Sequence, residues 1–203
     1  MPTTKRRRRA PRGTLSREQV IDAAERRVRA GEHEMLSMRS LASDLGVAPM
    51  SLYGHVRDKD DLLDEVVDRL LASTWEPQVA REDWLAWIRE SAERLRDLLI
   101  AEPVALQTFL SHPVASPSAI ARMEATLDVL GSAGFSPDAA ERAYAAVHTY
   151  TVGFAALEAS RAKHSGSDEV DDPVRMRLAR FTTAAQFAEG LTYLLVGLEH
   201  RRT

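Results

Sequence analysis

LASDLGVAPMSLYGHVRDKDDLL, residues 41–63, decides how this 203-residue chain is read. Its apolar residues fall at helical spacing, yet Gly46, Pro49 and Gly54 interrupt the run. Gly46 is placed to end a short helix that starts at about Met38 behind Leu36 and Ser37, since glycine alone enters the left-handed backbone without penalty. Three residues later Pro49 suits the first turn of a new helix, where a missing N–H costs little and φ is already set. The interruption is therefore punctuation between two helices. Asp58 then caps a further helix over residues 59–73, with Leu62, Leu63, Val66, Val67 and Leu70 on its buried side.

A short helix, a glycine-containing turn and a second helix over residues 49–56 make a helix-turn-helix, the unit that reads duplex DNA. Ala42 is small where the helices cross, Val47 and Leu52 fill the wedge between them, and Leu41, Leu45 and Val56 turn inward. Left outside are Pro49, Met50, Ser51, Tyr53, Gly54 and His55. Ser51 suits a base edge or a phosphate, Pro49 and Met50 suit thymine methyls, and Tyr53 and His55 suit phosphate oxygens. Lys59 lies in the first turn of the following helix, where free N–H groups and the macrodipole already favour an anion. Arg39, in the first turn of the short helix, is placed to reach phosphate or guanine. Gly54 costs ~1 kcal/mol relative to alanine inside a helix, which suggests a close approach of backbone to groove.

Upstream, Ser16 and Gln19 form a capping box, and a helix ending at Gly31 buries Val20, Ile21, Ala24 and Val28. Residues 1–13, MPTTKRRRRAPRG, carry six basic groups and no acid and read as a disordered arm that attracts phosphate. Residues 1–60 hold 13 basic and 8 acidic side chains, residues 61–203 hold 14 and 22. A basic head on an acidic body directs a polyanion to the head alone. With no cysteine there is neither disulfide nor thiolate chemistry. No apolar run approaches the ~18 residues of a membrane span, so a cytoplasmic protein without membrane association is expected.

Everything beyond Pro77 also has helical period, over residues 82–101, 104–110, 118–132, 137–161 and 182–201, with a further short piece near 174–180 and an acidic mobile loop over 163–173. The fold class is all-α: a three-helix helix-turn-helix domain (residues 14–60) followed by a larger helical domain (residues 61–203) for ligand binding and dimerisation. Residues 137–161 and 182–201 are rich in alanine, which lets helices approach closely, with Phe154, Leu157, Phe187, Leu191, Leu194, Leu195 and Leu198 as larger knobs. Trp84, Trp87, Phe109, His112, Met123, His148, Tyr150 and Glu158 are candidates to line a cavity, although each residue type also serves a core or an interface. No His-Glu-x-x-His helix, phosphate loop, nucleophile elbow or zinc spacing appears. That argues against an enzyme, a cofactor or a metal site, and leaves a nucleoid-packing protein as the competing DNA-binding class.

SMRSLASDLGVAPMSLYGHVRDKDDLL resembles the N-terminal domain of TetR-family transcriptional regulators, whose pattern ends in Leu-Tyr-x-His-hydrophobic-x-x-Lys-x-x-Leu, here Leu52, Tyr53, His55, Val56, Lys59 and Leu62. The resemblance implies phosphate contacts from Tyr53, His55 and Lys59, and base or backbone contacts from Arg39, Pro49, Met50 and Ser51. FAEGLTYLLVGLEH is similar to the last dimer helix of the tetracycline-repressor type. It implies a homodimer on a palindromic operator, most simply a repressor released by a small-molecule effector. Tetracycline repressors hold a drug-bound magnesium ion with a His and a Glu. Glu158 in VGFAALE and His112 fall near the corresponding places, but the flanking polar residues do not match.

Overall fold

The computed structural model describes residues 15–32, 35–74, 77–111, 116–164, 177 and 180–200. The basic arm, His112, the acidic loop beyond His164 and most of the short piece near 174–180 lie outside these residues. The described residues are helical throughout, without a strand. The chain divides into two compact units, Met1–Val66 and Val67–Thr203, and the division falls inside one helix.

The first unit contains α1 (Arg17–Arg29), α2 (Met38–Leu45), a 3-10 turn (Pro49–Ser51) and the start of α3 (Lys59–Thr74). Each helix begins on a side chain that satisfies an orphan donor. The Ser16 hydroxyl accepts from the Gln19 N–H at 3.2 Å while the Gln19 carbonyl oxygen accepts from the Ser16 N–H at 3.0 Å. Ser37 and Ser40 repeat the box for α2, and Asp58 accepts from the Asp61 N–H at 2.8 Å to open α3. Gly46, at φ +67, ends α2 as the sequence requires. The Val47 N–H reaches the Ala42 carbonyl at 3.0 Å and the Gly46 N–H that of Ser43 at 3.2 Å, the paired bonds of a Schellman stop. Leu36, Leu41, Ala42, Leu52 and Val56 are buried, as are Val20, Ile21, Ala24 and Val28 of α1, whereas Leu45 and Val47 are half-buried.

The segment expected as a helix over residues 49–56 is less regular than that. Pro49–Ser51 is a 3-10 turn and residues 52–55 continue as turns. The bonds Leu52 N–H to Pro49 O (3.1 Å) and His55 N–H to Leu52 O (2.9 Å) span three residues, and only Val56 N–H to Leu52 O (3.1 Å) has α-helical span. Pro49 supplies no donor, and Gly54 has no side chain to hold a helical turn. Arg17 fastens the end of this segment by donating to the His55 carbonyl and to the Glu65 carboxylate.

The second unit contains the rest of α3 and α4 (Trp84–Ala101), α5 (Pro103–Ser111), α6 (Pro117–Ser132), α7 (Pro137–His164) and α8 (Ala184–Glu199), the last preceded by a 3-10 turn (Arg180–Thr182). Asp83, Ser116 and Thr183 cap α4, α6 and α8 through their side chains. α7 packs against α4, α5, α6 and α8. The core joins Trp87, Ile88, Leu130, Phe154, Phe187, Leu191 and Leu195. Tyr150 stacks on Phe187 with ring centroids 5.3 Å apart, and Phe154 meets Phe187 edge-on at 5.2 Å.

Gly190 permits this packing, because a Cβ there would run into the Tyr150 hydroxyl and stand 2.9 Å from ring carbon Cζ. The hydroxyl donates to the Phe187 carbonyl at 3.0 Å. Gly190→Ala should therefore destabilise the chain by about 1–2 kcal/mol through overpacking and the displaced hydrogen bond, despite a gain of ~1 kcal/mol in helix propensity. Urea unfolding checks this; a variant as stable as the parent would show that Tyr150 swings aside freely.

Candidate functional site

Two groups of side chains are left with chemistry unspent. The first lies on residues 49–59, the segment that the sequence leads one to expect against DNA. Arg39, Pro49, Met50, Ser51, Tyr53 and Gly54 are exposed, and His55 and Lys59 are half-buried. Met50 is 77% exposed and Tyr53 46%. The side chains of Arg39, Ser51, Tyr53, His55 and Lys59 make no hydrogen bond or ion pair with the described residues. Donors on Ser51, Tyr53, His55 and Lys59 are thus gathered without a partner among the described residues. Gly54 has room for a Cβ, the nearest atom being the Ser51 carbonyl oxygen at 3.6 Å, so the internal packing does not demand a glycine.

The second group surrounds a cavity of about 370 Å³, counting its open mouth, between α4, α6 and α7 with Leu198 of α8 at one end. Most of its wall is apolar. Arg122 is the exception: it is 5% exposed and sits on the buried stripe of α6 with Ala119, Thr126 and Val129. Its Nη2 donates to His148 Nδ1 at 2.9 Å and lies 3.4 Å from the Tyr144 hydroxyl, while its Nε has no partner. Among the described residues no carboxylate pairs with it. Because a guanidinium can only donate, His148 must present an unprotonated Nδ1 and carry its proton on Nε2. Burial first, and the Arg122 charge second, hold the His148 imidazole down at about 4 from 6.5. Burial likewise pushes the Arg122 guanidinium below its ordinary value, though such a group remains charged near neutrality. An unpaired buried cation costs several kcal/mol, and bonds to an imidazole and a phenol return only about 1–3 kcal/mol each. The arrangement is therefore a local cost to folding.

Of the eight candidates named from sequence for a cavity, His148 lines this one. Phe109 stands behind it, its ring 5.9 Å from the imidazole. Trp84 packs edge-on against Phe135 at 5.2 Å, Trp87 is fully buried, Tyr150 is engaged with Phe187, and Met123 is half-buried outside the lining. Glu158 is held by Arg96, whose Nη2 is 2.7 Å from each carboxylate oxygen and whose Nε is 3.1 Å from one of them. With both oxygens engaged, Glu158 does not fit the role of ligand to a drug-bound metal, and the described residues hold no cluster of three or more metal-ligating side chains. Reasoning from sequence missed Arg122, Ser91 and Tyr144. The available signal was an arginine at an apolar position of α6, with no acid three or four residues to either side.

Residues 76–202 match the family described as tetracyclin repressor-like, C-terminal domain. The chain belongs to the TetR family of transcriptional regulators. It is 30% identical over 202 residues to an HTH-type transcriptional regulator of Saccharopolyspora erythraea, covering 91% of this chain and 84% of that protein. It is also 30% identical over 204 residues to the tetracycline repressor protein class C of Escherichia coli, covering 93% and 92%. Among solved structures it resembles the tetracycline repressor of Acinetobacter baumannii, with a TM-score of 0.71 at 26% identity over 93% of this chain and 99% of that one. ActR of Streptomyces coelicolor in complex with actinorhodin shares the fold, with a TM-score of 0.76 at 23% identity over 94% and 100%. In this TetR-family chain, no helix among the described residues is long and apolar enough to cross a membrane.

The depressed His148 basicity sets a pH dependence. The unfolded chain binds this proton with ordinary affinity and the folded chain resists it, so stability is fully present above about pH 6.5 and is lost as pH falls toward 4. Between about pH 7.5 and about pH 5 the parent should lose about 2 kcal/mol more than His148→Gln in urea unfolding. Equal losses would mean that the ring is solvated rather than buried beside Arg122.

Proposed function

We propose that the chain is a homodimeric, effector-responsive repressor, in which residues 49–55 with Arg39 and Lys59 contact a palindromic operator and the Arg122 cavity takes the effector. The observation that carries the DNA reading is the set of unpartnered donors and exposed apolar side chains over residues 50–59. A nucleic-acid groove supplies the acceptors and thymine methyls that this face lacks internally. That the tetracycline repressor of Escherichia coli is a repressor supports the direction of control. A largely apolar cavity with a few unspent donors supports binding of a small molecule rather than catalysis, since no nucleophile and base are paired among its described residues.

Dimerisation is supported by a face of α7 and α8 that one chain leaves uncovered. Leu157 is 57% exposed, Tyr193 67% and Val196 47%, and Gly153 and Gly197 on the same helices have nothing within 4 Å of a Cβ. A second copy packed there by two-fold symmetry would cover these groups and set two DNA-reading segments on one operator. An effector that prefers a conformation unsuited to the operator then weakens DNA binding by the factor by which DNA weakens effector binding.

Fluorescence anisotropy with the chain's own promoter region and with random duplex tests the DNA reading. The promoter fragment should bind at least about a hundredfold more tightly; equal affinity would return the nucleoid-packing alternative. Tyr53→Phe and Lys59→Ala should weaken both duplexes alike, and Lys59→Ala, which removes a charge, should also lower the salt slope by about one, as a cationic phosphate contact does. Gly54→Ala should weaken promoter binding without loss of fold stability; unchanged affinity would remove the close-approach role. For the dimer, Gly153→Glu should sediment as a monomer with helicity intact, and a persistent dimer would place the interface elsewhere.

A further inference from the structure

The cavity's polar groups are not equivalent, and sorting them defines what the cavity wants. Thr126 and Thr151 also line it, but their hydroxyls donate to the Arg122 and Val147 carbonyls of their own helices, at 2.7 and 2.8 Å. They have no donor left. Ser91, 3% exposed, and Arg122, 5% exposed, do: neither the Ser91 hydroxyl nor the Arg122 Nε has a partner among the described residues. The two lie on facing walls, α4 and α6. Between them and α8 the lining is aliphatic, from Ile88, Leu95, Leu130 and Leu198. One side is aromatic, where Tyr144 stacks on His148 with planes 18° apart and centroids separated by 5.4 Å, each ring covering part of a face of the other. The imidazole is already committed to Arg122 and lends the cavity no charge of its own. The lining thus presents one cation, the free Ser91 hydroxyl, the Tyr144 hydroxyl that accepts from Arg122 and keeps its own proton, and an aromatic pair, in otherwise largely apolar surroundings.

We propose that the effector is an organic anion, a flat and largely apolar aromatic acid whose carboxylate sits against Arg122 and accepts from Ser91 while its ring lies along Tyr144 and His148. This rests on the reading of the cavity as the effector site and specifies its chemistry. A neutral ligand would leave the guanidinium without a counter-charge in a desolvated site, whereas a carboxylate satisfies its remaining donors through charge-assisted bonds. The assignment comes from the absence, among the described residues, of an acidic partner for a buried arginine, not from the mere presence of an arginine in a pocket.

The test is calorimetric titration of the full-length chain with 2-naphthoate and with 2-naphthamide, which differ in charge but hardly in shape. The parent should bind the acid at least about tenfold more tightly than the amide. Arg122→Met, which keeps length and removes charge, should bring the two within about threefold by losing affinity for the acid alone, and Arg122→Lys should retain part of the preference. The comparison of acid and amide on the parent chain needs no variant to fold, and circular dichroism reports whether the variants do. Equal binding of the two probes by the parent, or a preference for the acid that survives Arg122→Met, overturns the anionic assignment while leaving the cavity a ligand site. Binding of neither probe at millimolar concentration counts against the effector site itself, and the proposal falls with it.

Discussion

The contact between α7 and α8 at Tyr150, Phe187 and Gly190 sets the geometry of the second unit. Once the Tyr150 hydroxyl is bonded to the Phe187 carbonyl over a glycine, the rotation of α7 about its axis is fixed. Every other residue on that helix is then assigned a direction by the 3.6-residue period. Tyr150, Phe154 and Glu158 form one stripe, stacked against Phe187 or paired with Arg96. Tyr144, Val147, His148 and Thr151 form a second, which walls the cavity. Ala146, Thr149, Gly153 and Leu157 form a third, which a single chain leaves exposed. A helix with three different environments around it has no simple apolar face, and this is why its sequence reads as alanine-rich and only weakly patterned.

Arg96 and Arg122 show how one residue type serves two ends. Both are buried arginines of the second unit. Arg96 receives Glu158 and Asp97 as carboxylate partners and lies over the Phe187 ring, its Cζ 5.3 Å from the centroid. Its charge is neutralised within the fold and its planar group completes the packing. Arg122 has an imidazole, a distant phenol and a cavity. The difference lies in counter-charge, and it separates an arginine neutralised within the fold from one without a carboxylate partner among the described residues. Cost concentrated at one polar cluster within an otherwise consistent core is a mark of function.

The DNA-reading unit was legible in the sequence because its information is local. Capping boxes, a glycine stop and a proline start act over three or four residues, and each left its expected hydrogen bond in place at Ser16, Ser37, Gly46 and Asp58. What was not legible there was regularity: the expected helix over residues 49–56 is a 3-10 turn continued by further turns, since Pro49 and Gly54 weaken helical pairing while the buried Leu52 and Val56 still anchor the segment. The cavity was poorly legible because it depends on how four helices meet. Trp84, Trp87, Tyr150 and Glu158 were plausible lining residues by type, yet aromatic rings and a long carboxylate are also what a helical core uses for filling and pairing, and the fold spends them so. Arg122 was overlooked because charge suggests a surface, and only the stripe it shares with Ala119, Thr126 and Val129 contradicts that.

The proposed coupling between effector and operator has a candidate route through α3, the helix within which the two units divide. Arg122 lies one helical turn beyond Ser118, whose N–H donates to the Asp68 carboxylate of α3 at 2.7 Å. α3 is also the helix that begins with Lys59. A ligand that engages the remaining donors of the guanidinium, whose Nη2 is bonded to His148, acts on α6 against α7, and the first turn of α6 is tied to α3 through a charge-assisted bond. A ligand shifts an equilibrium only by the difference in its contacts between two conformations. For that reason the Arg122 to His148 bond matters more than the apolar wall: the wall is buried by any occupant in any conformation, whereas this bond links the guanidinium that meets the ligand's charged group to α7. An apolar ligand of the same shape would therefore fill the cavity yet supply little of the energy that moves α6, and response would track charge more closely than affinity.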